Sequence, residues 1–222
     1  MRTAVLSHRA IAHELGLIEP WLEDVSGGDI TRIYREDGLP AAVDADLLVV
    51  MGSPTSIAVG HESDAGLAEL ALVRDWVATD RPYLGLCFGA QVLARATGGT
   101  VTRMATTYRS YAPLPIDASV SAALAGPWVL WHEDAITAPA QATVLSTLPH
   151  ADIAFRIGHA VGLQPHVEVT SDSLERMLQA LGVAPEQYES YVSGLRDQEQ
   201  SAVTPADRMA ALLHDLSPLL LG

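Results

Sequence analysis

The sequence predicts an α/β fold on a mainly parallel sheet, with an antiparallel edge and a helical C-terminal extension. Three observations carry this. Short β-rich runs alternate with helical stretches through the first two thirds of the chain. Several runs, such as Leu47–Met51, are continuously apolar, as strands covered on both faces require. From Ser171 onward the pattern is helical. Alternating strands and helices imply right-handed crossovers between parallel strands.

Taken in order, Ala4–Leu6 is a short apolar run followed by polar Ser7–His13, and Gly16–Val25 has helical apolar spacing. Ile30–Tyr34 reads as a strand, and Asp46–Met51 as a buried parallel strand entering the loop Gly52-Ser53-Pro54. Ser63–Thr79 is an amphipathic helix with Ser63 as N-cap and Asp64 in its first turn. Pro82–Leu86 is a second buried strand, followed by a helix over Phe88–Thr97 that Gly98-Gly99 stops. Thr100–Met104, Leu114–Ile116, Trp128–Trp131, Val144–Ser146, Ile153–Ile157 and Val161–Gln164 are short strands between turn residues, which suggests hairpins or an antiparallel edge. Leu174–Leu181, Glu186–Gln200 and Ala206–Leu220 are helical, with Pro185 and Pro205 in first turns. The reading divides the chain into a domain over residues 1–181 and a helical extension over 182–222 packed on it. Polar Glu186–Gln200 suits a lid, an edge cover or a homodimer contact; a peripheral helix on the sheet is the simpler expectation.

Composition narrows the function. At 222 residues with 49% apolar and 18% charged side chains, the chain has an ordinary globular make-up. Its net charge of −14 disfavours nucleic acid and anionic membrane surfaces as partners. Every basic residue is Arg, so neither a P-loop lysine nor a Schiff-base lysine is available. No apolar run reaches the roughly 20 residues of a membrane helix. One cysteine leaves no internal disulfide and fits a reducing, cytoplasmic setting.

Chemistry concentrates at Tyr83–Gln91. A buried strand ends at Cys87 and a helix begins directly after it, the layout of a nucleophile elbow that aims its side chain at solvent. The helix's positive end lies beneath the thiol and favours thiolate. Gly85 and Gly89 bracket the cysteine, free the crowded turn of Cβ clashes and open the backbone to a substrate. A lone cysteine is more often a buried core thiol; the glycine bracket tips the reading toward a nucleophile. Such a nucleophile needs a base, and the base an orienting group. His8, His13, His61, His150 and His214 lie in polar or amphipathic settings and read as solvated or capping. His166 stands at the end of the last predicted strand with Glu168 two residues on, on the same face of an extended segment. The alternative is a surface histidine beside a solvated carboxylate. Phe88 and the Gly52-Ser53-Pro54 loop are sources of amides for an oxyanion hole, although taken alone that loop reads more readily as an ordinary turn. His132-Glu133-Asp134 has no second cluster at ligand spacing, so no metal is expected.

These residues resemble the triad (class I) glutamine amidotransferases. The elbow G-x-C-x-G-x-Q matches at Gly85, Cys87, Gly89 and Gln91, followed by Leu93-Ala94 and Gly98-Gly99-Thr100-Val101. The base motif G-x-Q-x-H-P-E is similar to Gly162–Glu168, with Val167 where proline is usual, and His132-Glu133-Asp134 resembles the family's H-x-D. Ser53 stands where the usual Gly-Gly-Pro loop has glycine. The resemblance covers residues 40–170 and is to a stand-alone domain like the glutaminase domain of GMP synthase. It implies a flavodoxin-like three-layer sandwich, with Cys87, His166 and Glu168 as catalytic residues and Gly52, Ser53 and Phe88 around the oxyanion. Gln91, Ser110 and Tyr111 are implied against the substrate, with Tyr108–Tyr111 occupying the family's E-x-G-W/Y segment. The implied reaction releases ammonia from L-glutamine through a glutamyl thioester, with no cofactor, and delivers it to a separate synthetase. Two alternatives stand beside it: a hydrolase of γ-glutamyl compounds, and a non-catalytic relative that serves as a binding subunit.

Overall fold

The computed structural model of the chain describes residues 1–9, 11, 14–59, 63–116 and 121–222; the expectations for His13 and His61 lie outside them. Strand β1 (Thr3–Ser7) leads through a 3₁₀ turn at Gly16–Ile18 into helix α1 (Glu19–Ser26) and strand β2 (Ile30–Tyr34). Strand β3 (Leu47–Val50), helix α2 (Asp64–Ala78), strand β4 (Tyr83–Leu86) and helix α3 (Phe88–Ala96) follow. Then come β5 (Thr100–Ala112), β6 (Trp128–Thr137), β7 (Thr143–Leu148), β8 (Ala151–Ile157) and β9 (Ala160–Leu163). The chain closes with α4 (Ser171–Ala180), α5 (Glu189–Glu199) and α6 (Pro205–Leu221).

Among the described residues, seven strands form one sheet in the order β2-β1-β3-β4-β9-β8-β7. Its first five strands run parallel, and β8 and β7 supply the antiparallel edge. Both faces are covered, which is why these strands are apolar throughout. Val5, Leu47, Val49, Leu84 and Leu86 pack on one side with Ile18, Leu22 and the α6 residues Met209, Leu212, Leu213, Leu216 and Leu220. Ala4, Leu6, Leu48, Val50 and Tyr83 face the other way, against Val73 and Trp76 of α2 and Val92 and Leu93 of α3. The result is the three-layer sandwich expected from the resemblance. Among the described residues no helix is long and apolar enough to cross a membrane.

Three local expectations change. First, β5 runs to Ala112, well past Met104, and pairs antiparallel with β6 as a two-stranded sheet separate from the main one. Second, Leu114–Ile116 is not a strand. Pro113 and Pro115 flank Leu114 and lack the N–H groups that a ladder needs; Leu114 instead donates its N–H to Ala125 at 2.7 Å. Third, the helix expected over Glu186–Gln200 is a 3₁₀ turn at Pro185–Gln187 and then α5, broken at Tyr188. The last helix is a core element: α6 shares one apolar cluster with β1 and β3, and Trp21 Nε1 of α1 donates to Ser217 Oγ at 3.0 Å. Thr170 and Thr204 open α4 and α6 with capping boxes closed by Ser173 and Asp207.

Candidate active site

The turn from β4 to α3 holds Cys87 at φ 49° and ψ −102°. That backbone is strained for any residue with a Cβ, at a cost of about 1–3 kcal/mol. Two contacts hold it: Cys87 N–H donates to Leu163 O at 2.8 Å, and the buried Tyr83 hydroxyl donates to Gly89 O at 2.8 Å. The bracketing glycines serve this packing. A Cβ on Gly85 would lie 2.5 Å from the Gly89 backbone, and one on Gly89 would lie 2.1 Å from Val50 O. The elbow aims the thiol into a cleft of about 340 Å³, not into open solvent, and Cys87 is only 6% exposed.

His166 and Glu168 line the same cleft. After β9 the chain is pinned twice: Gln164 N–H donates to Ile153 O at 2.8 Å, and His166 N–H to Val129 O of β6 at 2.8 Å. The backbone of Glu168 is held from the opposite side, where its carbonyl accepts Leu17 N–H at 2.7 Å. His166 Nδ1 lies 2.9 Å from Glu168 Oε1, so Nε2 is the nitrogen left for other partners. Burial works against a charged imidazole here. Cys87 and then Glu168 outweigh it, and the His166 pKa is raised well above its ordinary value.

Gly52, Ser53 and Phe88 also line the cleft. A Cβ on Gly52 would stand 3.2 Å from His166 Cε1 and 3.9 Å from Cys87 Cβ, so the loop after β3 lies directly against both groups. Asp134 fixes the far end of that loop. Its buried carboxylate accepts Ser56 Oγ at 2.7 Å, Ile57 N–H at 3.0 Å and Ala58 N–H at 3.3 Å. This is the structural use of His132-Glu133-Asp134, together with a hydrogen bond at 2.8 Å between His132 Nδ1 and Asp134 O.

Gln91 lines the cleft, but Ser110 and Tyr111 do not. They are strand residues of β5 opposite Leu130 and Val129, and Tyr111 packs against the cluster formed by α4 and α5. The segment matched to the family's E-x-G-W/Y thus extends β5, and Ser110 and Tyr111 are not among the residues that line the cleft. Sequence reasoning also missed the role of Gln164. Its buried amide donates to Cys87 Sγ at 3.4 Å and accepts from Gln91 Nε2 at 3.3 Å. The signal was its position two residues before His166 in the base motif. His8, read as solvated, contacts Ser53 Oγ at 2.8 Å and Glu36 Oε1 at 3.2 Å.

His132 gives a pH prediction. Burial lowers its pKa to about 4; the hydrogen bond to Asp134 O opposes this, and the charges of His150 and His166 add smaller lowering effects. The unfolded chain takes up this proton near pH 6.5 while the folded protein refuses it until about pH 4. A depressed histidine therefore costs stability as pH falls through that window, by about 3 kcal/mol at its end. His166 acts in the opposite sense, its contribution being complete below about pH 6.5 and lost as pH rises through its raised value. Unfolding free energies from urea titration at about pH 7 and about pH 5 should therefore differ less in His132→Phe than in wild type, by about 2 kcal/mol. Equal differences in the two proteins would refute the assignment.

Comparisons with known proteins show what the chain is similar to. The family model for "Glutamine amidotransferase class-I" matches residues 29–182. The glutamine amidotransferase-like protein YfeJ of Salmonella typhimurium is 28% identical over 199 residues, covering 81% of this chain and 80% of its own length. One subunit of a glutamine-hydrolysing GMP synthase from Halobacterium salinarum is 35% identical over 80 residues, covering 36% of this chain and 37% of its own length. Among solved structures, a glutamine amidotransferase from Thermotoga maritima superposes with a TM-score of 0.73 at 20% identity, over 100% of this chain and 99% of that one.

Proposed function

The chain belongs to the class-I glutamine amidotransferase family, and from that premise we propose that it hydrolyses the side-chain amide of glutamine at Cys87. One observation carries the reading: a thiol on a strained strand-to-helix turn shares a buried cleft with a histidine held by a carboxylate. In this mechanism Cys87 Sγ, as thiolate, attacks the amide carbon. The oxyanion is stabilised by amides of Phe88 and the Gly52-Ser53 loop. His166, carrying the thiol proton, passes it to the departing ammonia. Glu168 holds the ring by its Nδ1 hydrogen bond. Water, deprotonated by His166, then cleaves the glutamyl thioester and frees glutamate and the thiol. Gln164 stabilises the thiolate by its hydrogen bond.

On this reading residues 1–181 form the amidotransferase unit and 182–222 a helical extension packed on it. The ammonia passes to a separate synthetase, a division supported by the Halobacterium relative being named as one subunit of its enzyme. A reactive, unpaired thiol supports a reducing, cytoplasmic setting.

A second reading rests on the cleft itself. Its volume of about 340 Å³ falls in the range of drug-sized ligand pockets, and Met177, Leu178, Leu181 and Val183 give it an apolar wall. That wall suits a γ-glutamyl conjugate with an apolar leaving amine. The test of both is ammonia release from L-glutamine beside amine release from γ-glutamyl amines, with Cys87→Ala as blank. Turnover of glutamine that the blank lacks supports the first reading; turnover confined to conjugates supports the second. No turnover of either, with Cys87 slow to alkylate, would overturn both.

A further inference from the structure

His8 takes no part in the chemistry above, yet it ties the loop after β3 to a carboxylate two strands away. Strands β2, β1 and β3 are adjacent and parallel, so their carboxyl ends lie side by side. Glu36 follows β2, His8 follows β1 and Ser53 follows β3. His8 Nδ1 lies 3.2 Å from Glu36 Oε1 and its Nε2 lies 2.8 Å from Ser53 Oγ. The carboxylate is fixed from a second direction by Arg9 N–H at 3.1 Å. Ser53 Oγ accepts Thr55 N–H at 3.1 Å and stands 2.7 Å from Thr55 Oγ1.

The direction of each bond follows from chemistry. An ionised Glu36 only accepts, so Nδ1 of a neutral His8 carries the proton and Nε2 is the acceptor. The Ser53 hydroxyl therefore donates to His8 and receives Thr55 N–H on its lone pairs. Burial, then the charge of Arg35, hold the His8 pKa below its ordinary value, in favour of the neutral ring; Glu36 and Glu69 oppose this. The side chain of Ser53 is thus held from both sides, and Ser53 lines the cleft that contains Cys87.

We propose that His8 is a positioning residue for the oxyanion hole, the Glu36–His8–Ser53 chain fixing the Ser53 peptide so that its N–H meets the developing oxyanion. This rests on the thioester reading given above. It accounts for the serine that replaces a loop glycine, since the hydroxyl is the handle by which β1 and β2 orient the loop of β3.

The test is a double-mutant cycle of His8→Ala and Ser53→Ala in the full chain, read by glutamine kinetics and by hydrogen exchange of the peptide covering residues 51–57. Deleting an oxyanion donor costs about 10²–10³-fold in kcat; losing only its placement should cost about tenfold, with KM changed by less than about twofold. The double variant should be no worse than either single, because both break one chain. His8→Gln, which still accepts from Ser53, should recover part of kcat. Exchange should rise at residues 53–55 in both singles and stay unchanged in β3. Wild-type kcat and exchange in His8→Ala, or losses that multiply in the double, would overturn the proposal. Failure of the thioester reading is distinguishable: wild type then releases no ammonia from glutamine, and exchange alone decides whether His8 holds the loop.

Discussion

Cys87→Ala and Cys87→Gly should both lose turnover by about 10⁴-fold or more, and the glycine variant should melt higher than the alanine variant. The activity loss follows from removing the nucleophile. The stability order follows from the backbone. At φ 49° and ψ −102°, alanine keeps the Cβ that makes this turn costly, whereas glycine does not. Relief of about 1–3 kcal/mol of strain is offset by about 0.5–1 kcal/mol for the greater freedom of glycine in the unfolded chain. The net gain is on the order of 1 kcal/mol, or about 2–4 °C for a chain of this size. A third readout is the His166 ring. Its raised pKa depends first on Cys87, so its imidazole signals should titrate lower in either variant. Equal melting of the two variants would show that the turn stores no strain. Ammonia release by Cys87→Ala would move the nucleophile elsewhere.

The elbow was legible because its parts are local. An apolar strand, two glycines and a helix start lie within a few residues of Cys87, and the i, i+2 spacing of His166 and Glu168 in extended backbone predicts their contact. Contacts made across the sheet were not legible. Gln164 meets Cys87 from 77 residues away, and Asp134 meets Ser56 from 78. His8 reads as a solvated residue until β1, β2 and β3 are known to be neighbours, since its partners lie 28 and 45 residues away. The extent of β5 escaped for the same reason. Tyr108–Tyr111 alternates no more clearly than a loop would, and pairing with Val129–His132 decides its state. In the C-terminal third, the helical spacing of Met209, Leu212, Leu213 and Leu216 marked α6 as core, but nothing local revealed that β1 and β3 are the strands it covers.

Gly89→Ala should destabilise the protein by on the order of 3 kcal/mol or more, although alanine is the better helix former by about 1 kcal/mol. Gly89 lies in the first turn of α3, where that helix rests on the sheet. The added methyl would stand 2.1 Å from Val50 O and 2.8 Å from Val50 C, which belong to the backbone of a central strand and cannot rotate aside. Relief requires α3 to lift away from β3. That motion would pull the buried Phe88, Val92 and Leu93 from their packing and stretch the hydrogen bond from Tyr83 to Gly89 O. It would also carry Cys87 with it, because the turn joins the two. Displacement of a reacting group by about 1 Å costs about 10²-fold in rate, so any folded fraction should be nearly inactive. Gly98→Ala is the comparison. Gly98 has φ +95° but nothing within 4 Å of its Cβ position, so only backbone strain of about 1–2 kcal/mol is expected, with activity kept. Urea midpoints and turnover of the two variants separate the effects. A Gly89→Ala protein as stable as Gly98→Ala would mean that the close approach of helix and strand does not hold the elbow. The expected gap between them would mean that one backbone contact both closes the core and sets the thiol in its cleft.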